Sequence, residues 1–302
     1  MRVGITGSSG FIGTALVEAL LERGDEVVRF IRPGADQTAS TVRWDPSRQL
    51  VDDGDLQRAG RLEAVVHLAG AGIADKRWND TRKREIVTSR TQSTAQLVST
   101  LAALPDGTPR LASGSAIGFY GSRGDEVLNE SSSAGHGFLA ATCKQWEESA
   151  LALRARGTTV ALLRTGIVLD RRGGSLKRQL PLFQWGLGGT LANGHQWTSP
   201  ISLRDEVRAI LWIIDHDIDG PVNLTCPTPL ANRDFTRVLA HEMHRPHLAR
   251  VPRVGLQIVL GAQLTSEAVL ASQRVVPHVL VEGGFSFEHP DATSIVRAAL
   301  EK

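Results

Sequence analysis

Gly7, Gly10 and Gly13 stand three residues apart in GITGSSGFIGTALVEALLERG, residues 4–24, and no other stretch narrows the fold so far. The apolar run RVGIT (2–6) before them reads as a strand. FIGTALVEALLERG after it carries apolar residues at helical spacing. A strand feeding a helix through such a turn is the setting of a phosphate-binding loop. Gly7 permits the tight turn, Gly10 lets the backbone approach a pyrophosphate, and Gly13 lets the helix lie close to the sheet. The pyrophosphate would rest against Ser9, Gly10, Phe11, Ile12 and Gly13, on backbone N–H groups at the helix start, where the dipole favours an anion. A glycine-rich turn that holds nothing is the plainer alternative.

Strand-like runs recur downstream: EVVRFI (26–31), AVVHLAG (64–70), PRLASGS (109–115) and TVALLRTGIVL (159–169). Helical patterns at 11–23, 80–104 and 138–156 fall between them. This alternation predicts an α/β fold with a doubly wound parallel sheet covered on both faces. After about residue 170 the chain turns rich in Gly, Trp and Pro, and helices resume at 203–216, 232–244, 255–272 and 291–301. The expected organisation is a dinucleotide-binding domain over 1–170, to which a strand and helix around 201–225 return. A smaller substrate-side lobe over 171–302 would carry a helical C-terminal part from about 250. VGLQIVLGAQL (254–264) and EGGFSF (282–287) are apolar enough to be expected in contact with the rest of the protein.

Thirty-four basic and 32 acidic side chains leave a formal charge of +2. That disfavours nucleic acid and anionic membrane as partners. Two cysteines, Cys143 and Cys226, without a CxxC spacing fit a reducing cytosol. Met1 runs straight into RVGIT, and no apolar run approaches the ~20 residues of a membrane span. A cytoplasmic protein is expected. HEMHRPH (241–247) misses the H-E-x-x-H zinc spacing because Arg245 holds the second histidine's place, so no metal is expected.

The Gly-x-x-Gly-x-x-Gly spacing, HLAG (67–70), SGSAIGFYG (113–121) and LLRTGIVL (162–169) together resemble the short-chain dehydrogenase/reductase superfamily in its extended, epimerase-like branch. AGAGIADKRW (69–78), RQLPLFQWGLGG (178–189) and VPRVGLQIVLGAQ…SQRVVPHVLVEGGFSF (251–287) resemble one group within it, the epimerase-family proteins with a C-terminal domain of unknown function. The resemblance implies that Leu68, Ala69 and Gly70 line the cofactor and that Ser115 is the active-site serine. It also makes Arg77, Tyr120 and Arg164 candidate substrate contacts. The second strand ends RFIRPG, with Arg32 where an acidic residue would bind the ribose 2′-OH of NAD. A guanidinium there suits a 2′-phosphate, so NADP is the expected cofactor, with an ordinary exposed arginine as the alternative.

In the superfamily a Tyr-x-x-x-Lys pair on the helix after the serine's strand moves the proton, the lysine lowering a phenol pKa from near 10. Lys144 in GFLAATCKQW stands where that lysine belongs, and the resemblance implies that it also binds the cofactor at the nicotinamide ribose, but Ala140 holds the tyrosine position. No other register rescues the pair, since the only tyrosine is Tyr120 and Gly124 follows it by four. Another group could act as acid or base, with His136, Cys143, Tyr120, Asp75, Lys76 and Arg77 as candidates. The chain could equally bind NADP without turnover as a sensor or scaffold, or Ser115 and Lys144 could polarise a carbonyl. Lys144 also reads as a plain solvated helix lysine. Six basic residues from Lys76 to Arg90 allow an anionic small-molecule substrate such as a nucleotide-linked sugar, or a solvated helix face. PISLRDEV (200–207) departs from the group's Trp-Ile-His and paired acids, keeping Ile201 and Asp205. The reading taken forward is an NADP-dependent oxidoreductase or epimerase/dehydratase-type enzyme that lacks the usual tyrosine; oligomeric state is left open.

Overall fold

The computed structural model describes residues 1–48, 50–247 and 249–301. Its main sheet has eight strands: β1 (Arg2–Thr6), β2 (Glu26–Ile31), β3 (Thr41–Asp45), β4 (Leu50–Val51), β5 (Ala64–His67), β6 (Arg110–Ala116), β7 (Val160–Thr165) and β8 (Gly220–Leu224). Their order is β8-β7-β6-β5-β1-β2-β3-β4, parallel throughout except for the β3–β4 pair at the edge. The chain runs outward from β1 in one direction and then in the other, as a doubly wound sheet requires. The reversal places the carboxyl ends of β1 and β5 side by side, in the crevice where open α/β sheets bind ligands.

Helices α1 (Phe11–Glu22) and α6 (Leu203–Asp215) cover one face. Leu16, Leu20, Ile210 and Ile213 pack there on Val3, Ile5 and Val66. The other face carries α3 (Asp80–Ala102) and α4 (Phe138–Leu151), with Leu97, Leu101 and Ala150 on Val28, Val65 and Leu162. Short α2 (Asp53–Ala59) closes the edge near β3. The central strands β1, β5, β6 and β7 are thus covered on both sides, which is why every residue of AVVH in β5 is buried.

The run read as one strand over 159–169 divides at Gly166, where a Cβ would meet the Ser199 carbonyl at 2.5 Å. Ile167–Asp170 leaves the main sheet and pairs in parallel with Pro200–Ser202. A separate apolar cluster follows, built from α5 (Gly174–Gln184), α7 (Asn232–Glu242) and the helix Ala292–Leu300.

Helix α8 (Arg253–Leu260) departs from the expected burial of 254–264: none of its residues is buried. Val254, Ile258 and Val259 are 64–70% exposed, and burial resumes only at Leu264. The helix packs chiefly on residues 262–269 that follow it, so no sheet covers its apolar side. The later C-terminal segment is anchored firmly. Val275, Leu280, Ile295 and Val296 are fully buried, and Leu280 and Phe285 join the sheet-and-α6 cluster. Each such side chain contributes about 1.5–3 kcal/mol through burial. Truncation before Val251 is therefore expected to give insoluble protein. A soluble 1–250 fragment with a cooperative melt would contradict this.

Candidate functional site

The turn from β1 into α1 has the shape the glycines predict. Gly7 adopts φ +69°, and a Cβ there would lie 2.8 Å from the Leu68 carbonyl carbon and 2.9 Å from the Ala69 nitrogen. The Gly10 N–H donates to the Gly7 carbonyl at 2.9 Å, closing the turn. A Cβ on Gly13 would run into that same carbonyl. Side chains at Gly7 and Gly13 would collide with the backbone of the turn and of the segment after β5, while the first amides of α1 keep N–H groups that no helix carbonyl can satisfy. Ser9 and Gly10 are exposed, Phe11 and Ile12 half-buried. The Phe11 ring packs under Gly173 and Gly174, where α5 begins.

Leu68, Ala69 and Gly70 follow β5 beside this loop. A buried histidine holds them in place. His67 sits between the Thr6 hydroxyl at 2.6 Å and the Thr94 hydroxyl at 2.9 Å, and Thr6 Oγ1 also accepts from the Ala69 N–H at 3.3 Å. Both ring nitrogens are thereby engaged, one donating and one accepting in the neutral ring. Burial pushes the His67 pKa down to about 3, so the ring stays neutral as a structural strut.

Arg32 lies exposed just beyond β2, without a carboxylate partner among the described residues. Arg29, which sequence reasoning passed over, donates from Nε to the Ser8 hydroxyl at 3.2 Å. That bond ties the end of β2 to the glycine loop.

Ser115 is buried near the end of β6, and its hydroxyl donates to Glu147 Oε1 on α4 at 2.7 Å. Arg164 grips Glu147 with both edges of its guanidinium, Nε to Oε1 at 2.8 Å and Nη2 to Oε2 at 2.9 Å. Burial works against the Arg164 charge, but the Glu147 bonds outweigh it and hold the group above its ordinary pKa. Arg164 Nη1 donates to the Tyr120 hydroxyl at 2.9 Å, which donates to Asn223 Oδ1 at 2.7 Å. Arg164 and Tyr120, expected as substrate contacts, are 4% and 0% exposed. Their polar atoms are committed to an internal network. Burial pushes the Tyr120 phenol up to about 12, so it stays protonated and unsuited to proton exchange.

Lys144 is not joined to Ser115. Its side chain is 63% exposed, and Nζ lies 3.9 Å from Glu148 on the same helix. Ala140 is buried, as are Cys143 and Glu147, so the face of α4 that meets the sheet runs through 140, 143 and 147. Burial pushes the Cys143 thiol up to about 12. Arg77 is exposed in the loop before α3, near Gly261. The departure at PISLRDEV has a structural account. Ser202 caps α6, His289 Nδ1 lies 3.0 Å from its hydroxyl, and Asp205 accepts from the backbone N–H groups of Glu288 and His289. These residues pin the C-terminal segment.

Concavity alone does not single out the crevice. A surface cavity of about 480 Å³ lies between α1, α6 and the C-terminal helix, beside Asp170 and His289, away from the glycine loop. The glycine loop, with its conformational demands at Gly7 and Gly13, does not line that cavity. Among the described residues no three His, Cys, Asp or Glu side chains cluster as a metal would need, and no helix is long and apolar enough to cross a membrane.

Comparison with known proteins agrees with this geometry. The NAD dependent epimerase/dehydratase family model matches residues 3–145, and a domain of unknown function (DUF1731) matches 251–299. An epimerase family protein of Mycobacterium bovis is 39% identical over 288 residues, 95% of this chain and 93% of its own. The crystal structure of human epimerase family protein SDR39U1 with NADPH superposes with a TM-score of 0.88, at 26% identity and 99% coverage of both chains. A Corynebacterium glutamicum structure described as a nucleoside-diphosphate sugar epimerase superposes at 0.80 with 32% identity, covering 99% of this chain and 58% of that longer one. The protein therefore belongs to the NAD dependent epimerase/dehydratase family, among the epimerase family proteins that carry the C-terminal domain of unknown function.

Proposed function

We propose that this chain binds NADP(H) in the crevice between β1 and β5 and exchanges hydride with a small anionic substrate, nucleotide-linked sugars being the class that fits best. The observation that carries the reading is the glycine cradle: Gly7 has no room for a side chain beside Leu68 and Ala69, and Gly13 has none beside the Gly7 carbonyl. Bound there, NADPH supplies a hydride from its nicotinamide. The chain's own part is to seat the pyrophosphate on the α1 amides through Gly10, Phe11, Ile12 and Gly13. Arg32, with Arg29 behind it, provides charge for a 2′-phosphate where an NAD enzyme has a carboxylate. NADPH in the human relative's structure supports that choice. Ser115, fixed by Glu147, keeps a lone pair to accept a hydrogen bond from a substrate hydroxyl. Oxidoreductase or epimerase-type chemistry, a small-molecule partner and a cytoplasmic setting complete the proposal.

A second reading, binding without turnover, draws on the same side chains. Tyr120 is sealed in the core and Lys144 faces solvent, so neither supplies a positioned acid.

Calorimetric titration tests the cofactor assignment. Wild type is expected to bind NADPH more tightly than NADH, and Arg32→Ala to lose about one to two decades of NADPH affinity while NADH is unchanged. Equal wild-type affinity for the two would overturn the 2′-phosphate assignment.

A further inference from the structure

Six of the ten large apolar side chains that stand exposed among the described residues lie on or just after two elements, α5 and α8. Leu182, Trp185 and Leu187 crowd the end of α5, where Trp185 is 81% exposed, and Val254, Ile258 and Val259 lie on α8. The end of α5 is a fixed platform. The N–H groups of Trp185 and Leu187 donate back to the Pro181 and Leu182 carbonyls at 3.1 and 2.8 Å, and Phe183 is buried beneath them. Helix α8 is built the opposite way, tethered at its two ends. Before it, Ala249–Val251 pairs with Gly189–Leu191, the strand that follows the platform. After it, Gly261 takes φ +92°, and Leu264 and Thr265 return to the interior. Between these anchors no residue is buried, and a Cβ on Gly255 would meet nothing within 4 Å. Val254 and Ile258 share one side of the helix a turn apart, with Val259 next to Ile258.

Both elements border the loop that follows β5. Arg178 on α5 donates to the Ala74 carbonyl at 2.6 Å and pairs with Asp75 at 3.0 Å. Arg77 Nε lies 3.8 Å from where a Cβ on Gly261 would stand. Platform, strand pair, α8 and loop thus make a closed circuit of contacts at the carboxyl end of β5. We propose that α8 is a hinged strap over the crevice, which swings about Pro252 and Gly261 when NADP(H) is bound and lays Val254, Ile258 and Val259 on the Leu182, Trp185 and Leu187 platform. This rests on the reading that the crevice holds NADP(H). A ligand closes the strap only through contacts that the open form lacks. Arg77, beside the hinge and without a carboxylate partner among the described residues, is the group through which a bound anion reaches it. Closure covers two apolar faces that the open form leaves wet, and it keeps water from the hydride. A second copy fits these faces less well than α8 does. Arg245, Arg250 and Arg253 are exposed on the same segment, and a twofold contact would set them against their own copies.

The double variant Trp185→Cys, Ile258→Cys tests the closure, since Cys143 and Cys226 are buried and do not compete. With diamide as oxidant, saturating NADPH is expected to speed the disulfide within one chain about tenfold. In a second arm, Ile258→Glu is expected to release NADPH about tenfold faster than wild type, because it puts a charge on the closing face. Calorimetry that shows NADPH bound, with the disulfide rate unchanged by it, overturns the strap and leaves the cofactor reading standing. A disulfide between two chains also overturns it, and assigns the faces to a second copy. Wild type that binds no NADPH overturns both readings. If the double variant does not fold, amide exchange over residues 253–261 of wild type decides. Slower exchange with NADPH is expected, and exchange indifferent to NADPH overturns the proposal.

Discussion

Glu147→Ala is expected to lower folding stability by about 3–5 kcal/mol, because it strands the buried Arg164 guanidinium without its carboxylate. Removing one partner of a sealed pair leaves an uncompensated charge, which costs more than the pair itself contributes. The loss spreads further here, since Ser115 gives up its acceptor and Arg164 also braces Tyr120. Glu147→Met combined with Arg164→Met should recover most of the deficit, as apolar replacements of buried pairs commonly do. Equilibrium denaturation of the two single variants and the double variant checks this. Additive losses in the double variant would show that the residues act separately.

Glu206→Gln is expected to flatten the fall in stability between about pH 5 and pH 8. Glu206 is fully buried on α6, its Oε1 accepts from the Thr165 hydroxyl at 2.8 Å, and its Oε2 has no partner. Burial pushes its pKa up to about 8, against about 4.3 for an unfolded glutamate. Between those values the native state keeps a proton that the unfolded chain has released, so stability falls as pH rises. At about 1.4 kcal/mol per unit, the drift reaches roughly 5 kcal/mol by pH 8. Glutamine removes the titration and keeps the shape. Melting curves across this range should show wild type losing ground to the variant as pH rises. Parallel curves would place a charged Glu206 in the native state.

The glycine loop was legible in the sequence because its demands are local: a positive φ at Gly7 and a close approach at Gly13 leave no residue but glycine. Strands buried on both faces, such as AVVH, were legible for a similar reason. A strand was expected somewhere in 201–225, but GPVNL was not singled out for it, since Pro221 and Asn223 look like loop residues. Asn223 is tolerated because Tyr120, 103 residues away, and the Val276 carbonyl satisfy its amide. The Ser115–Glu147–Arg164 group has the same character. The signal that could have found it is an arginine inside the apolar run ALLRT, which calls for a buried carboxylate. Spacing on α4 placed Lys144 about one turn from Ala140, but the buried face through Ala140, Cys143 and Glu147 lies on the other side of Ala140 from Lys144. Lys144 stands about 100° round the helix from Cys143, at the edge of that face and in water.

The central claim is that the cradle for NADP(H) persists while the phenol that ordinarily moves the proton is absent. A positioned acid or base is worth typically 10²–10⁴-fold in rate, so binding and general carbonyl turnover should come apart. The direct measurement is steady-state NADPH oxidation over a panel of aldehydes, ketones and sugar nucleotides, using protein that calorimetry shows to bind NADPH. Rates near background are predicted for generic carbonyls, with any substrate-specific rate falling in Ser115→Ala. Fast turnover across the panel that survives both Ser115→Ala and Lys144→Ala would contradict the account and mean that another acid or base runs the site.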